Sequence, residues 1–98
     1  MKKVSLKHKV SVELLKELWL EQAGRSSYSG AIFLMGSKDR DIQPSLDHKT
    51  SLSKGGTNDK DNLQWITYRE NTMKGDLTEA EYFASIRHQL NYFGANDE

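Results

Sequence analysis

Residues 45–75 read SLDHKTSLSKGGTNDKDNLQWITYRENTMKG, and this stretch decides the fold. Ile42 to Leu46 leads into the Asp47-His48 pair. Pro44 has no N–H for a ladder, so this segment predicts an edge strand or the entry to one. Gly55-Gly56 followed by Thr-Asn-Asp is turn chemistry, which makes 51–61 a loop. Asn62 to Ile66 then reads as a short returning strand. Thr67 to Lys74 reads as a helix that stops at Gly75. The local order is strand, loop, strand, helix.

Working outward, Ser11 is placed to cap a helix, with Glu13 in its first turn. Leu14, Leu15, Leu18 and Trp19 recur at helical spacing and give that helix one apolar face, with Gly24 as its stop. Residues 4–10 alternate apolar and polar, as a short strand or an extended arm does. Arg25 to Gly30 is turn-like, and Ala31 to Met35 is a short apolar run that fits a buried strand or a helical turn. On the other side, Thr78 and Glu81 form a capping box. Tyr82, Phe83, Ile86, Leu90 and Phe93 then mark the apolar face of a last helix, expected to pack on the first.

Ninety-eight residues make a single domain, 1–98, with a modest core. No apolar run approaches the roughly 18 residues of a membrane span. The Met-Lys-Lys start lacks the apolar segment of a secretory signal, which points to the cytoplasm. The chain has no cysteine, which removes disulfides and thiolate zinc sites alike. Net charge is zero, yet Lys2, Lys3, Lys7 and Lys9 cluster at the start while the segment from Asp76 onward is acidic. Overall neutrality therefore leaves room for a local nucleic-acid surface, although a solvated tail is the plainer reading of the lysines.

The central stretch carries the chemistry. Adjacent side chains of an extended strand point to opposite faces, so Asp47 and His48 reach one site only at a strand end or a bulge. A carboxylate such as Asp47 is a hard ligand suited to Mg²⁺ or Mn²⁺. A neutral imidazole such as that of His48 can take a proton from water. Asn71, on the following helix, can offer an amide oxygen to the same ion. Together these are a base, a Lewis acid and a nucleophile for phosphodiester hydrolysis. Taken singly, each residue reads more simply as a loop, cap or surface residue; the spacing changes that.

His48, Asn62 and Asn71 follow His-x13-Asn-x8-Asn, with Asp47 in front, SxGGxNxxxNL at Ser53–Leu63 and NxxKGDLT at Asn71–Thr78. In these motifs, which span about residues 45–78, the chain resembles the HNH endonucleases in their His-Asn-Asn variant. The resemblance implies an α+β fold, a ββα-metal (His-Me finger) core flanked here by N- and C-terminal helices. It implies Asp47 and Asn71 as ligands of one divalent ion (Mg²⁺ or Mn²⁺), His48 as general base, and Asn62 as the residue that ties down the loop and orients His48. It implies a bacterial or phage-encoded enzyme that cuts duplex DNA to leave a 5′-phosphate and a 3′-hydroxyl. One site with one metal would nick a single strand, and the motif offers no separate recognition domain, so low sequence specificity is expected.

The chain departs from the family in one place. WLEQAGRSSYSG at 19–30 is similar to a pattern in which cysteines bind a structural zinc, but Ser26, Ser29, Thr67 and Glu70 stand at the four thiolate places. No structural zinc is expected, with hydrogen bonds and apolar packing in its stead. Arg69, Lys74, Lys49 and Lys54 are candidate phosphate contacts or solvated cations, Arg69 and Lys74 first because the site helix carries them. Gln64 and Tyr68 read as substrate-facing or as core and surface residues. The competing reading from another class is a non-catalytic DNA-binding or assembly module that keeps the motif as a structural turn.

Overall fold

A computed structural model of the chain describes residues 10–96; the arm expected at 4–10 and the lysine cluster lie outside them but for Val10. The fold is small and mixed, two antiparallel strands and three helices. Helix α1 (Val12–Glu21) begins as its sequence dictates, the Ser11 hydroxyl accepting from Leu14 N at 3.2 Å. It ends in two left-handed residues, Ala23 at φ 55° and Gly24 at φ 67°.

Strands β1 (Pro44–His48) and β2 (Leu63–Thr67) pair antiparallel, with Pro44 opposite Thr67 and His48 opposite Leu63. Pro44 therefore takes the first position of an edge strand, where its missing N–H costs no ladder bond. The connection between them carries two single 3-10 turns, Leu52–Lys54 and Lys60–Asn62. Helix α2 (Tyr68–Lys74) follows β2 directly and opens on a capping box of Thr67 and Glu70. Helix α3 (Glu79–Asn96) is capped in the same way by Thr78 and Glu81.

The core is one cluster of Val10, Leu18 and Leu63, with Leu14, Leu15, Leu46 and Trp65 packed around it. Helix α1 spends its apolar face on β2. Trp65 donates Nε1 to the Leu15 carbonyl at 3.0 Å, and Trp19 meets Trp65 edge-on at 5.7 Å. The outer edge of β2 is closed by a side chain: Gln22 accepts from Trp65 N at 2.9 Å and donates to Trp65 O at 2.8 Å. An edge left open would present unpaired backbone groups to other chains.

Two expectations change. The apolar run Ala31–Met35 is neither a buried strand nor a helical turn. It makes one bridge, Arg25 with Ile32, and buries only Phe33, whose ring lies tilted against Trp19 with centroids 5.3 Å apart. Phe33 N donates to the Gly24 carbonyl and Leu34 N to that of Ile42, while the Ala31 carbonyl accepts from Ser26 N, so its partners are loop residues and no sheet forms around it. Nor does α3 lie along α1, whose apolar face is already taken. Instead α3 docks by its first turns, where Tyr82 is buried and stacks on Tyr28 with ring centroids 5.9 Å apart. From Arg87 onward its described side chains are exposed, Leu90 at 63% and Phe93 at 67%.

Candidate functional site

The strand end places Asp47 and His48. Asp47 points inward and is 4% exposed, while His48, next along, is half-buried at the mouth of a cleft. That cleft, of about 280 Å³, is lined by Asp47, His48, Ser51, Asn71 and Lys74 among others. The Asn71 amide nitrogen donates to Ser45 Oγ at 2.7 Å and to the Leu46 carbonyl at 3.2 Å. With the nitrogen committed to β1, the oxygen is the atom of Asn71 left to serve as a donor to a cation.

The loop after β1 is tied from its far end. Asn62 accepts from Thr50 N at 2.9 Å and donates to the carbonyls of Thr50 (2.9 Å) and Thr57 (2.7 Å). Its own carbonyl takes Lys49 N at 2.8 Å. These bonds grip Lys49 and Thr50, the two residues that follow His48. Within the loop, the backbone folds so tightly that a Cβ on Gly56 would lie 1.9 Å from the Thr50 carbonyl oxygen. Only glycine fits there.

That closure delivers a residue that sequence reasoning does not single out. The amide oxygen of Asn58 lies 2.7 Å from His48 Nε2. An amide oxygen only accepts, so this contact is a hydrogen bond in the tautomer that carries the ring proton on Nε2. Asn58 reads in sequence as one more turn residue after Gly-Gly. Its signal is its place in SxGGxNxxxNL, ahead of Asn62 in the loop that returns to His48.

Asp47 is held from two sides. Lys74 Nζ is 3.1 Å from Oδ1, and Gln64 Nε2 donates to Oδ2 at 2.9 Å. Gln64 is itself fixed: Ser27 Oγ donates to its Oε1 at 2.6 Å, and its Nε2 also reaches Tyr28 Oη and Glu79 Oε1. Burial first, then the charges of Asp47 and Glu79, push the Tyr28 hydroxyl well above its ordinary range, so it stays protonated inside this network. Gln64 is thus a buried support of Asp47.

The four candidate cations do not share one surface. Lys74 is 2% exposed and faces Asp47, so it is no open phosphate contact in this state. Arg69 pairs with Asp41 on the outer side of α2, and Lys54 pairs with Glu81 at 3.3 Å. Lys49, one residue beyond His48, lines a different cavity with Asp59, Lys60 and Gln64. None of these last three lines the Asp47–His48 cleft.

The residues at the thiolate places do converge. Ser26 Oγ donates to Glu70 Oε1 at 2.6 Å, and the same oxygen accepts from Thr67 N at 2.8 Å. Glu70 N returns a bond to Thr67 Oγ1 at 3.0 Å. Serine, threonine and glutamate here form a hydrogen-bonded knot between the 25–30 turn and the start of α2.

No family model, no curated protein and no solved structure matches the chain. The chemistry of the cleft must therefore stand on its own residues. Among the described residues no group of three or more histidines, aspartates and glutamates is arranged to hold a metal ion. What the cleft offers instead is one carboxylate and one amide oxygen, a sparse, hard donor set. Mg²⁺ and Mn²⁺ accept such a set because water and phosphate oxygens complete their shells. The donors fit such an ion in chemistry. Among the described residues no helix is long and apolar enough to cross a membrane.

Proposed function

We propose that the chain is a divalent-metal-dependent DNA endonuclease of the HNH type, in the His-Asn-Asn variant, and that β1, β2 and α2 form its ββα-metal core. The observation that carries this reading is the gathering of Asp47, His48 and Asn71 on one small cleft, from a strand end and a helix, with His48 and Asn71 23 residues apart in sequence. Sequence spacing alone requires none of them to face the same space.

In this reading His48 takes a proton from water at Nδ1, while Asn58 keeps the proton on Nε2 and fixes the ring plane. The water oxygen attacks phosphorus as the P–O3′ bond breaks, and the departing O3′ takes a proton from solvent, leaving a 5′-phosphate and a 3′-hydroxyl. Asp47 and Asn71 would hold the ion, which when bound supplies positive charge to the phosphate and the departing oxygen. Asn62 keeps the loop closed so that His48 does not wander from the cleft. One such cleft per chain attacks one strand per encounter.

The test is conversion of supercoiled plasmid to open circles by the purified chain with Mg²⁺, Mn²⁺ and Ca²⁺ in turn. Nicking with Mg²⁺ or Mn²⁺, and none with EDTA, is the expected result. DNA binding with no cleavage under any of the ions would favour the non-catalytic module.

A further inference from the structure

Lys74 is one of the two largest side chains with almost no exposure, and a buried ammonium requires a partner. It has two: Asp47 Oδ1 at 3.1 Å and the His48 carbonyl at 3.0 Å. With Gln64 on Oδ2, both oxygens of Asp47 are already compensated by the protein itself. The ammonium therefore stands against the same carboxylate that would hold the divalent ion. It comes from α2, one turn beyond Asn71, so it and Asn71 share a helix face. A second cation cannot approach the same oxygen in a buried site without strong repulsion.

We propose that Lys74 is an internal counter-cation that competes with the divalent ion for Asp47, so that metal entry requires the ammonium to leave. This rests on the metal reading above and deepens it to the regulation of that site. In the absence of DNA the pair Lys74–Asp47 keeps metal affinity low. DNA lifts that restraint, because its phosphates offer both oxygens to the ion and a counter-charge to the displaced ammonium. Metal and DNA binding are then mutually reinforcing, as thermodynamic linkage demands of any two ligands that favour the same state.

The experiment uses the full chain and Mn²⁺, followed by electron paramagnetic resonance of the free ion and by calorimetry, without DNA. Lys74→Met should bind Mn²⁺ at least about fivefold more tightly than the parent, the low end of usual coupling between sites. Equal or weaker binding by a folded variant overturns the competition. Because removing Lys74 leaves Asp47 buried without its counter-charge, the parent supplies an independent measurement. Acetylation of Lys74 by acetic anhydride, which releases acetate, read by mass spectrometry, should be slow in EDTA and rise as Mn²⁺ saturates. Lys74 that stays protected at saturating Mn²⁺ also overturns it. If neither the parent nor the variant binds Mn²⁺, or if Asp47→Asn leaves the binding unchanged, the metal site itself fails, which is a different result.

Discussion

The hydroxyl of Ser26 donates a 2.6 Å hydrogen bond to Glu70 Oε1, joining residues 44 apart in the chain. Ser26 is 4% exposed and Glu70 also closes the capping box of α2, so one carboxylate holds both the turn at 25–30 and the helix that carries Asn71. The helix cannot shift without breaking the knot, and Asn71 moves with the helix.

Removing the knot should therefore be expensive. Glu70→Ala strands the Ser26 hydroxyl and one cap N–H, at a cost of about 2 kcal/mol in urea unfolding. The effect also depends on pH. Burial alone would raise the Glu70 carboxyl, but bonds from Ser26, Ser29 and Thr67 outweigh it and hold the group below its ordinary value of 4.5. A depressed folded pKa gives stability that is complete above the unfolded value and lost as pH falls through the folded one. The gap between the parent and Glu70→Gln should be widest near neutrality and shrink below about pH 4.5. A gap that stays constant down to acid pH would mean that the charge on Glu70 plays no part.

Gly56→Ala tests the loop. Its Cβ has no room, being 1.9 Å from the Thr50 carbonyl oxygen and 2.9 Å from that of Ser51. Backbone must give way, and Asn58 and His48 lose their register. We expect destabilisation of roughly 1–3 kcal/mol and a fall in nicking larger than the loss of folded protein explains. Wild-type nicking by a folded Gly56→Ala chain would show that loop closure does not position the base.

Asn58 predicts a spectroscopic signature. In ¹⁵N-labelled protein at a pH where His48 is neutral, the ring should be the Nε2–H tautomer. Asn58→Ala should return it toward a mixture and slow nicking by up to roughly a hundredfold, the scale of a misplaced catalytic group. An unchanged tautomer in Asn58→Ala would remove Asn58 from the site.

The strand–loop–strand–helix order and the Thr78–Glu81 capping box were legible because each rests on local chemistry, whereas the second box, Thr67 with Glu70, shows only in the structure. A proline marks the strand entry, Thr-x-x-Glu marks a helix start, and an asparagine fourteen residues beyond His48 lies in the segment that pairs back on it. What was not legible depends on where elements dock. The run Ala31–Met35 is apolar enough to be a strand, but β1 already lies on the edge that β2 offers and Gln22 closes the other. The face of α3 is apolar over its whole length, yet only its first turns find Tyr28 to cover them. Lys74 reads in sequence as a phosphate contact or a solvated cation, because charge alone says nothing about a buried partner such as Asp47. Its place three residues after Asn71 did put it on the cleft side of α2.

The docking of α3 gives a further prediction. Because its described side chains beyond Ile86 are exposed, a chain stopped after His88 should lose less than about 1 kcal/mol of stability. It should also nick plasmid as the full chain does. Circular dichroism and thermal melting of the shortened chain check this; collapse of the fold would mean that the outer turns of α3 bear on the core after all.

The central claim is that His48 takes the proton from the attacking water. The most direct measurement is the rate of plasmid nicking by His48→Ala beside the parent in Mn²⁺, with the melting temperatures of both recorded. A general base contributes typically about 10²–10⁴ in rate, so the variant should be at least about a hundredfold slower with its fold intact. A folded His48→Ala chain that nicks as fast as the parent would contradict the claim.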